Sequence, residues 1–299
     1  MRIQETIVVI VVLCIVLFSL ILNFGTSYDT TYVRSTVNIT NAGPIIGVIS
    51  IYPASPINLS EGDYLRVQCN ITVTDYNGYS DIKHVNATFY MPGNVSFNAA
   101  KDNNSMYRNS TCTINESISA QSAVFSCTFN VMYYANNGTW NCTVLVRDDS
   151  GLESNKSQDT TIDSLYSINV TDLIDYGNLS VFETSLAQEV NITNLGNRDL
   201  NLTIYGYGGD DFANGQGIAL SCSIGDNITI DNERYALNAT NWTAMVNLTS
   251  AAVLLRNLTV VQQTNDAAYV INSTYWRLYV PPNPYGVCNG TVVFEAIAP

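Results

Sequence analysis

The sequence predicts an all-β fold, with two tandem β-sandwich domains behind a single N-terminal transmembrane helix. Three observations carry this. The first is an uncharged, mostly apolar run of 19 residues, Thr6–Phe24. The second is a series of short stretches beyond it, in which apolar residues alternate at period two between turn residues and no helical period appears. The third is composition: 19 Tyr and 46% apolar residues against only 12% charged. Such a chain suits strands and is too apolar to stay disordered. The resulting organisation is an anchor over 1–24, a stalk over 25–43, a first domain over 44–163 and a second over 164–299.

At ~1.5 Å per residue the run spans about 28 Å, close to the hydrocarbon thickness of a bilayer. Arg2 precedes it and the next cation is Arg34. The short basic side is therefore expected in the cytoplasm and the bulk of the chain outside the cell. The rival is a cleaved signal peptide. Against it, the run is long for such a segment, and Leu22-Asn23-Phe24 does not make a small-x-small cleavage site. Cys14, inside the run, reads as a buried membrane thiol. Residues 25–43 are polar, Thr-rich and without period, as expected of a stalk. No apolar tail follows Ala298-Pro299, so no second anchor is expected.

Pro44 opens the first domain. Ile45–Tyr52 is apolar and Pro53-Ala54-Ser55-Pro56 ends it. Tyr64–Asp75 alternates, with Val67, Cys69, Ile71 and Val73 inward and Asn70 and Thr72 outward. Asp75-Tyr76-Asn77-Gly78 is a turn. Ile82–Met91 is a strand stopped by Pro92-Gly93, and strands at Tyr107–Asn115 and Ala123–Tyr134 follow. Gly138–Arg147 alternates most cleanly: Trp140, Cys142, Val144 and Val146 share one side, Asn141, Thr143 and Leu145 the other. Residues 148–163 make a last edge strand or a linker.

The second domain is expected to place strands at Tyr166–Leu173, Glu189–Thr193, Leu200–Tyr205, Ile228–Tyr235, Trp242–Leu248, Val253–Gln262, Tyr269–Val280 and Val287–Ala296. Leu200, Leu202 and Ile204 point inward, Asn201 and Thr203 outward. The Gly-rich run Tyr205–Asp211 contains no Lys and opens no helix, so it reads as a flexible loop.

Six Cys lie beyond the anchor: Cys69, Cys112, Cys127, Cys142, Cys222 and Cys288. An even number outside the membrane suggests disulfides in an oxidising compartment. Cys222 and Cys288 have only each other in the second domain and are paired. The first domain, roughly 44–163, resembles immunoglobulin-like domains. In that family an inward Cys of an early strand bonds an inward Cys of a late strand, and an aromatic residue stands two places before the second. Cys69, Cys142 and Trp140 occupy those places, although no Trp follows Cys69 as it would in antibody domains. The resemblance implies a Cys69–Cys142 staple through the sandwich and leaves Cys112 and Cys127 to pair across a hairpin, which stabilises by ~3 kcal/mol in the chain-entropy model. In the second domain, VNITNLGNRDLNLTIYGYG resembles a β-module of archaeal and bacterial surface proteins. The ending YWRLYVPPNPYGVCNGTVVFEAIAP is similar to the last strands of cell-wall and biofilm-matrix sandwich domains.

The sequon Asn-x-Ser/Thr occurs 22 times among 35 Asn. In the stalk and first domain the acceptors are Asn38, Asn58, Asn70, Asn86, Asn94, Asn103, Asn109, Asn115, Asn137, Asn141 and Asn155. In the second they are Asn169, Asn178, Asn191, Asn201, Asn227, Asn238, Asn241, Asn247, Asn257, Asn272 and Asn289. With ~18% of residues Ser or Thr, random order would give only ~6. A taste for Asn and Thr on strand exteriors explains many of each but not why they stand two apart. N-glycosylation of an exported protein does.

Net charge is −13 with 12 Lys+Arg, which argues against a nucleic-acid partner, since phosphate binding needs clustered cations. The one His, His84, sits on a predicted strand as a surface residue, and hydrolytic triads and zinc sites need His with positioned partners. There is no Gly-Lys-Ser/Thr phosphate loop and no Gly-x-Ser-x-Gly elbow. No enzyme is expected. Calcium is the one ligand to weigh: Asp75, Asn77 and Asp81 are spaced like a small oxygen-ligand loop, and Asp148-Asp149 fall at the same end of a sandwich. The competing account is a turn closed by Asx hydrogen bonds.

In architecture, sequon density and low lysine content the chain resembles archaeal-type cell-surface glycoproteins with immunoglobulin-like domains. That implies a membrane-anchored, N-glycosylated extracellular protein of the envelope, structural or adhesive, whose partners are other surface proteins, envelope glycans or further copies of itself. Two alternatives stay open. One is a surface-filament subunit, assembled through the N-terminal helix or by strand addition. Glu5 ahead of the apolar run resembles the Glu of type IV pilins, but no helical pattern continues past Phe24. The other is a ligand-binding module using loops at the sandwich end, with Tyr133-Tyr134 and Tyr205/Tyr207 as candidate contacts.

Overall fold

The computed structural model describes residues 2–21, 30–266 and 269–299. The chain divides into two compact units, Met1–Thr40 and Asn41–Pro299. In the first, α1 (Arg2–Ile21) carries Glu5 in its opening turn, where the helix dipole favours a negative charge. Over Arg2–Leu20 its mean hydropathy is 2.6, and it is long and apolar enough to cross a membrane. The end of the expected anchor and the start of the stalk, residues 22–29, lie outside the described residues. Residues 30–40 are exposed and carry no regular structure.

The second unit is built of β-sheet. Its first half contains β1 (Ile45–Tyr52), β2 (Tyr64–Thr74), β3 (Ile82–Tyr90), β4 (Met106–Asn109), β5 (Thr113–Ser117), β6 (Ser122–Met132), β7 (Gly138–Asp148) and β8 (Glu153–Ile162). They form two antiparallel sheets of order β1-β2-β6-β5 and β4-β3-β7-β8. This is the immunoglobulin strand order, A-B-E-D against C′-C-F-G. The alternation read from the sequence explains the packing: Val67, Cys69, Ile71 and Val73 of β2 and Trp140, Cys142, Val144 and Val146 of β7 are all fully buried. Phe89 of β3 stacks on Trp140 at 4.9 Å and on Phe129 of β6 at 5.7 Å.

One expected strand is corrected here. Tyr107–Asn115 is not continuous, because β4 and β5 belong to opposite sheets. The Asn109 side chain accepts from the Thr111 amide at 2.9 Å. That Asx turn lets the chain cross from one sheet to the other. Residues 153–162 are an edge strand, β8, paired along β7 from Gly138 to Arg147.

The other half contains β9 (Ile168–Val170), β10 (Gln188–Asn194), β11 (Asn201–Gly208), β12 (Ile218–Ile224), β13 (Ile228–Thr229), β14 (Glu233–Ala236), β15 (Val246–Asn247), β16 (Val253–Leu254), β17 (Ile271–Leu278) and β18 (Tyr285–Ile297). The sheets run β15-β14-β17-β10-β9 and β13-β12-β18-β11-β16. Val190, Ile192, Leu200, Leu202 and Ile204 pack around Trp276. A separate small cluster forms about Ala219, Ile228 and Leu278.

Four expectations are corrected in this half. The Gly-rich run is not a loop over its first residues, since β11 continues through Gly208, paired with β18, and its last residue, Asp211, caps a short helix, Phe212–Gly215. Gly206 and Gly208 face neighbours that leave no room: an added Cβ would lie 2.4 Å from Leu248 Cδ2 and 2.4 Å from Ile218 Cγ2, respectively. Ile228–Tyr235 is interrupted by a 3-10 turn at Ile230–Asn232 that carries the chain between sheets. Trp242–Leu248 begins as a 3-10 turn, Trp242–Ala244, and Val253–Gln262 keeps only two strand residues. β12 has no counterpart among the expected strands, because Ala219-Leu220-Ser221-Cys222-Ser223 lacks a clean alternation.

Candidate functional sites

The six cysteines beyond α1 pair as Cys69–Cys142, Cys112–Cys127 and Cys222–Cys288, and Cys14 of α1 is free. Cys69–Cys142 joins the two sheets through the core. Cys222 and Cys288 stand opposite each other on the neighbouring strands β12 and β18. Two residues before Cys142, the Trp140 indole N–H donates to the Asn136 carbonyl at 2.8 Å. An immunoglobulin domain ties the same corner with a Tyr hydroxyl bonded to backbone a few residues upstream.

At one end of the first sandwich three carboxylates converge. Asp75 directly follows β2, Asp81 closes the 3-10 turn Tyr79–Asp81, and Asp148 ends β7; one ligand oxygen from each lies within 4.8 Å of the others. Asp75 and Asp148 are 0% and 1% exposed. The Asp75 Oδ1 accepts from the Asn77 amide at 2.9 Å, which makes the Asx turn. Its Oδ2 is buried without a hydrogen-bond partner. The Asp148 carboxylate accepts from the Leu152 amide at 2.8 Å and from Asn41 Nδ2 at 2.7 Å. Asn77 does not turn toward the carboxylates, since its Oδ1 accepts from the Ala42 amide at 2.8 Å. Burial, and then the charges of Asp75, Asp148 and Asp149, raise the Asp81 carboxyl above its ordinary value. Lys83 pairs with Asp149 at 2.8 Å, on the rim.

The sequon asparagines sort by exposure. Fourteen of the 22 are exposed and eight are half-buried; among the described residues the buried asparagines are Asn194 and Asn197, which lie outside sequons. Some sequon amides are already engaged by the protein: Asn103 Nδ2 donates to the exposed Asp266 at 2.8 Å and Asn109 Nδ2 to the Thr128 carbonyl at 3.0 Å.

Tyr133 and Tyr134 are not available at a loop tip. Both are buried in a polar seam between the two sandwiches, where Tyr133 donates to Gln263 and Tyr134 to Asp266. Gln262 Nε2 donates to the Tyr134 carbonyl at 2.7 Å, and Asn104 Nδ2 to the Gln263 carbonyl at 3.2 Å. Burial pushes the Tyr133 phenol up to about 12. Tyr205 and Tyr207 both pack edge-on against Phe212.

The second sandwich holds a cavity of about 1510 Å³ between the segment 171–181 and strands β12 and β18. Leu173, Tyr285 and Val287 at its mouth are largely exposed. Glu233 lies on its wall and accepts from the Tyr176 hydroxyl at 2.6 Å. Burial lifts the Glu233 carboxyl to about 7, although the Tyr176 hydrogen bond works the other way. His84 is exposed on β3.

No family model matches the sequence, and no curated protein matches it. Among solved structures the chain is similar to the chaperone–tip adhesion subunit pre-assembly complex of the archaic chaperone-usher Csu pili of Acinetobacter baumannii, at 9% identity and a TM-score of 0.39 over 80% of this chain and 96% of that one. It is similar to carbohydrate-binding modules of the β-sandwich superfamily, at 11% identity and a TM-score of 0.26 over 87% and 100%. Tandem immunoglobulin domains of titin match at 10% identity and a TM-score of 0.23 over 72% and 97%. These similarities are loose, and none of them bears on the function of this chain.

Proposed function

We propose that this is a single-pass, N-glycosylated extracellular protein of the cell envelope, of the archaeal-type surface kind that its sequence resembles, with a structural or adhesive role. The observation that supports this best is the placement of the sequons: the asparagines that are buried lie outside them, and all 22 acceptors keep at least partial access to solvent. Random order would give only ~6 sequons where 22 stand among 35 asparagines, and use of the acceptors for glycan accounts for that excess. Pairing of six Cys as three disulfides fits an oxidising exterior, and α1 serves as the anchor. The role is non-catalytic, and the partners are neighbouring surface proteins or envelope glycans.

Glycopeptide mapping of the protein purified from its own membranes tests this. We expect a retained Met1, glycan on the exposed acceptors such as Asn58, Asn155 and Asn241, and bare Asn103 and Asn109, whose amide nitrogens already donate to Asp266 and to the Thr128 carbonyl. A protein without glycan removes the reading, and a trimmed N-terminus without the apolar run removes the anchor.

A second reading, assembly of copies by strand addition, is favoured by one observation. In residues 30–40, which carry no regular structure, Val33, Val37 and Ile39 are at least 81% exposed. Exposed β-branched residues in an unpaired segment are what a sheet edge of another copy could cover. Filaments that dissociate when Val37 and Ile39 become Asp would establish it.

A further inference from the structure

We propose that Asp75, Asp81 and Asp148 bind one divalent cation of the calcium type, independently of any glycan. The first ground is geometry. Calcium holds oxygens at about 2.4 Å, so two ligands on opposite sides of one ion stand about 4.8 Å apart. The three carboxylates place one oxygen each within 4.8 Å of one another, which is the spread a single ion can span. The second ground is the Asp75 Oδ2, buried and without a hydrogen-bond partner beside two other carboxylates. A buried acceptor left unmade is costly, and more so for a charged group. The third ground is charge. Among the described residues the two ion pairs are Lys83–Asp149 and Arg147–Glu153, so neither neutralises the three. Buried charges are ordinarily paired or coordinate metals.

The donor set chooses the cation. It contains only oxygen, which excludes metals that need thiolate or imidazole. The carboxylates come from two chain segments, Asp75 and Asp81 from the β2–β3 connection and Asp148 from the end of β7, and each retains lone pairs beyond its hydrogen bonds. Water completes the six to eight ligands calcium takes. Magnesium demands a stricter octahedron at shorter distances, so it is expected to compete weakly. A bound ion would join the β2–β3 turn to the β7–β8 turn. Through Asn41 on Asp148 and Ala42 on Asn77, it would also hold the point at which the chain enters the sandwich.

The full chain in detergent, stripped with EDTA, is the material for the test. Calcium at about 100 times its dissociation constant should raise Tm by about 5 °C, with magnesium at equal concentration giving a much smaller shift. Terbium should bind in place of calcium, sensitised by Tyr76 or Tyr79, and calcium should displace it. Asp81→Asn, at the half-exposed ligand, should lose the calcium shift while its Tm in EDTA stays at or above that of the unaltered protein, because one of several like charges is gone. Asp149→Asn, on the rim, should keep the shift. The proposal is overturned if calcium on the order of 10 mM, well above extracellular-module affinities, leaves the Tm of the unaltered chain unmoved. It is overturned equally if Asp81→Asn retains the shift or magnesium matches calcium. Should Asp81→Asn fail to fold, the titration and the terbium displacement on the unaltered chain decide alone.

Discussion

The two sandwiches solve the same problem differently. The first has one continuous core, closed by a disulfide that runs from sheet to sheet and by the Phe89–Trp140–Phe129 stack. The second divides its buried residues into two clusters, keeps a cavity between them and solvent, and places its disulfide between adjacent strands with both Cys half-exposed. Both bury carboxylates, but the first holds Asp75 and Asp148 together at one end of the sandwich, whereas the second holds Glu233 singly at the cavity wall. A sandwich whose sheets interdigitate along their length gains from every inward residue. One in which several strands are only two residues long, as β13, β15 and β16 are, leaves parts of its interior to loops.

The disulfides give the largest test of this difference. Cys69–Cys142 and Cys222–Cys288 span similar separations, 73 and 66 residues. In the chain-entropy model each is therefore worth ~4 kcal/mol. Loss by Cys→Ala at both positions should cost that much in either sandwich. The core pair should cost about 1–2 kcal/mol more, since replacing two fully buried sulfurs also leaves a void. Urea unfolding followed by tryptophan fluorescence measures both. Equal losses would mean that the contrast in burial carries no energetic weight.

Glu233 provides the next, smaller effect, and it is confined to the second sandwich. Its carboxyl moves from an ordinary 4.5 to about 7 in the fold, through burial. A carboxyl with a raised folded value binds more protons folded than unfolded between those two pH values. Its contribution is therefore fully present below about pH 4.5 and is lost as pH rises through 7. The loss is about 3 kcal/mol at most, at ~1.4 kcal/mol per pKa unit. Glu233→Gln keeps an acceptor for Tyr176 and should flatten this slope, so that at pH 8 the variant is the more stable protein. Unfolding midpoints at pH 5 and pH 8 would show it. An unchanged slope would mean that Glu233 is solvated through the cavity.

The same contrast decides what is legible in the sequence. Long strands with one buried face announce themselves at period two, and β2, β3, β6 and β7 stand within two residues of their expected places, as does β1, which shows instead as an apolar run ended by prolines. The short strands of the second sandwich do not, because two or three residues hold no period. Alternation cuts β11 short for a different reason. Gly206 and Gly208 occupy inward positions where Leu248 and Ile218 already fill the space, and glycine there looks like loop. Two of the three converging carboxylates, Asp75 and Asp81, are visible as a turn motif. Asp148 is visible only as a neighbour on the same end. Asn77 shares their spacing, yet its side chain serves the incoming backbone at Ala42. The seam is not legible at all: Gln262, Gln263 and Asp266 are polar residues in a loop, and nothing local says that Tyr133 and Tyr134 wait for them across more than 120 residues.

That seam sets the smallest of these effects and bears on whether the sandwiches can be compared as separate bodies at all. Tyr134 is fully buried and donates to Asp266, which also accepts from Asn103. Tyr134→Phe keeps the ring and its edge-on contact with Tyr133 at 5.0 Å and removes only the hydroxyl. Because Asp266 is exposed and keeps its Asn103 donor, the loss should be about 1 kcal/mol, the typical net worth of one hydrogen bond. Its distribution is more informative than its size. If the seam couples the two halves, calorimetry should show one transition in the unaltered protein and a broadened or split one in Tyr134→Phe, as multidomain chains show when docking weakens. A single transition that merely shifts would mean that the remaining bonds, Gln262 to the Tyr134 carbonyl and Asn104 to Gln263, suffice to make the two sandwiches unfold together.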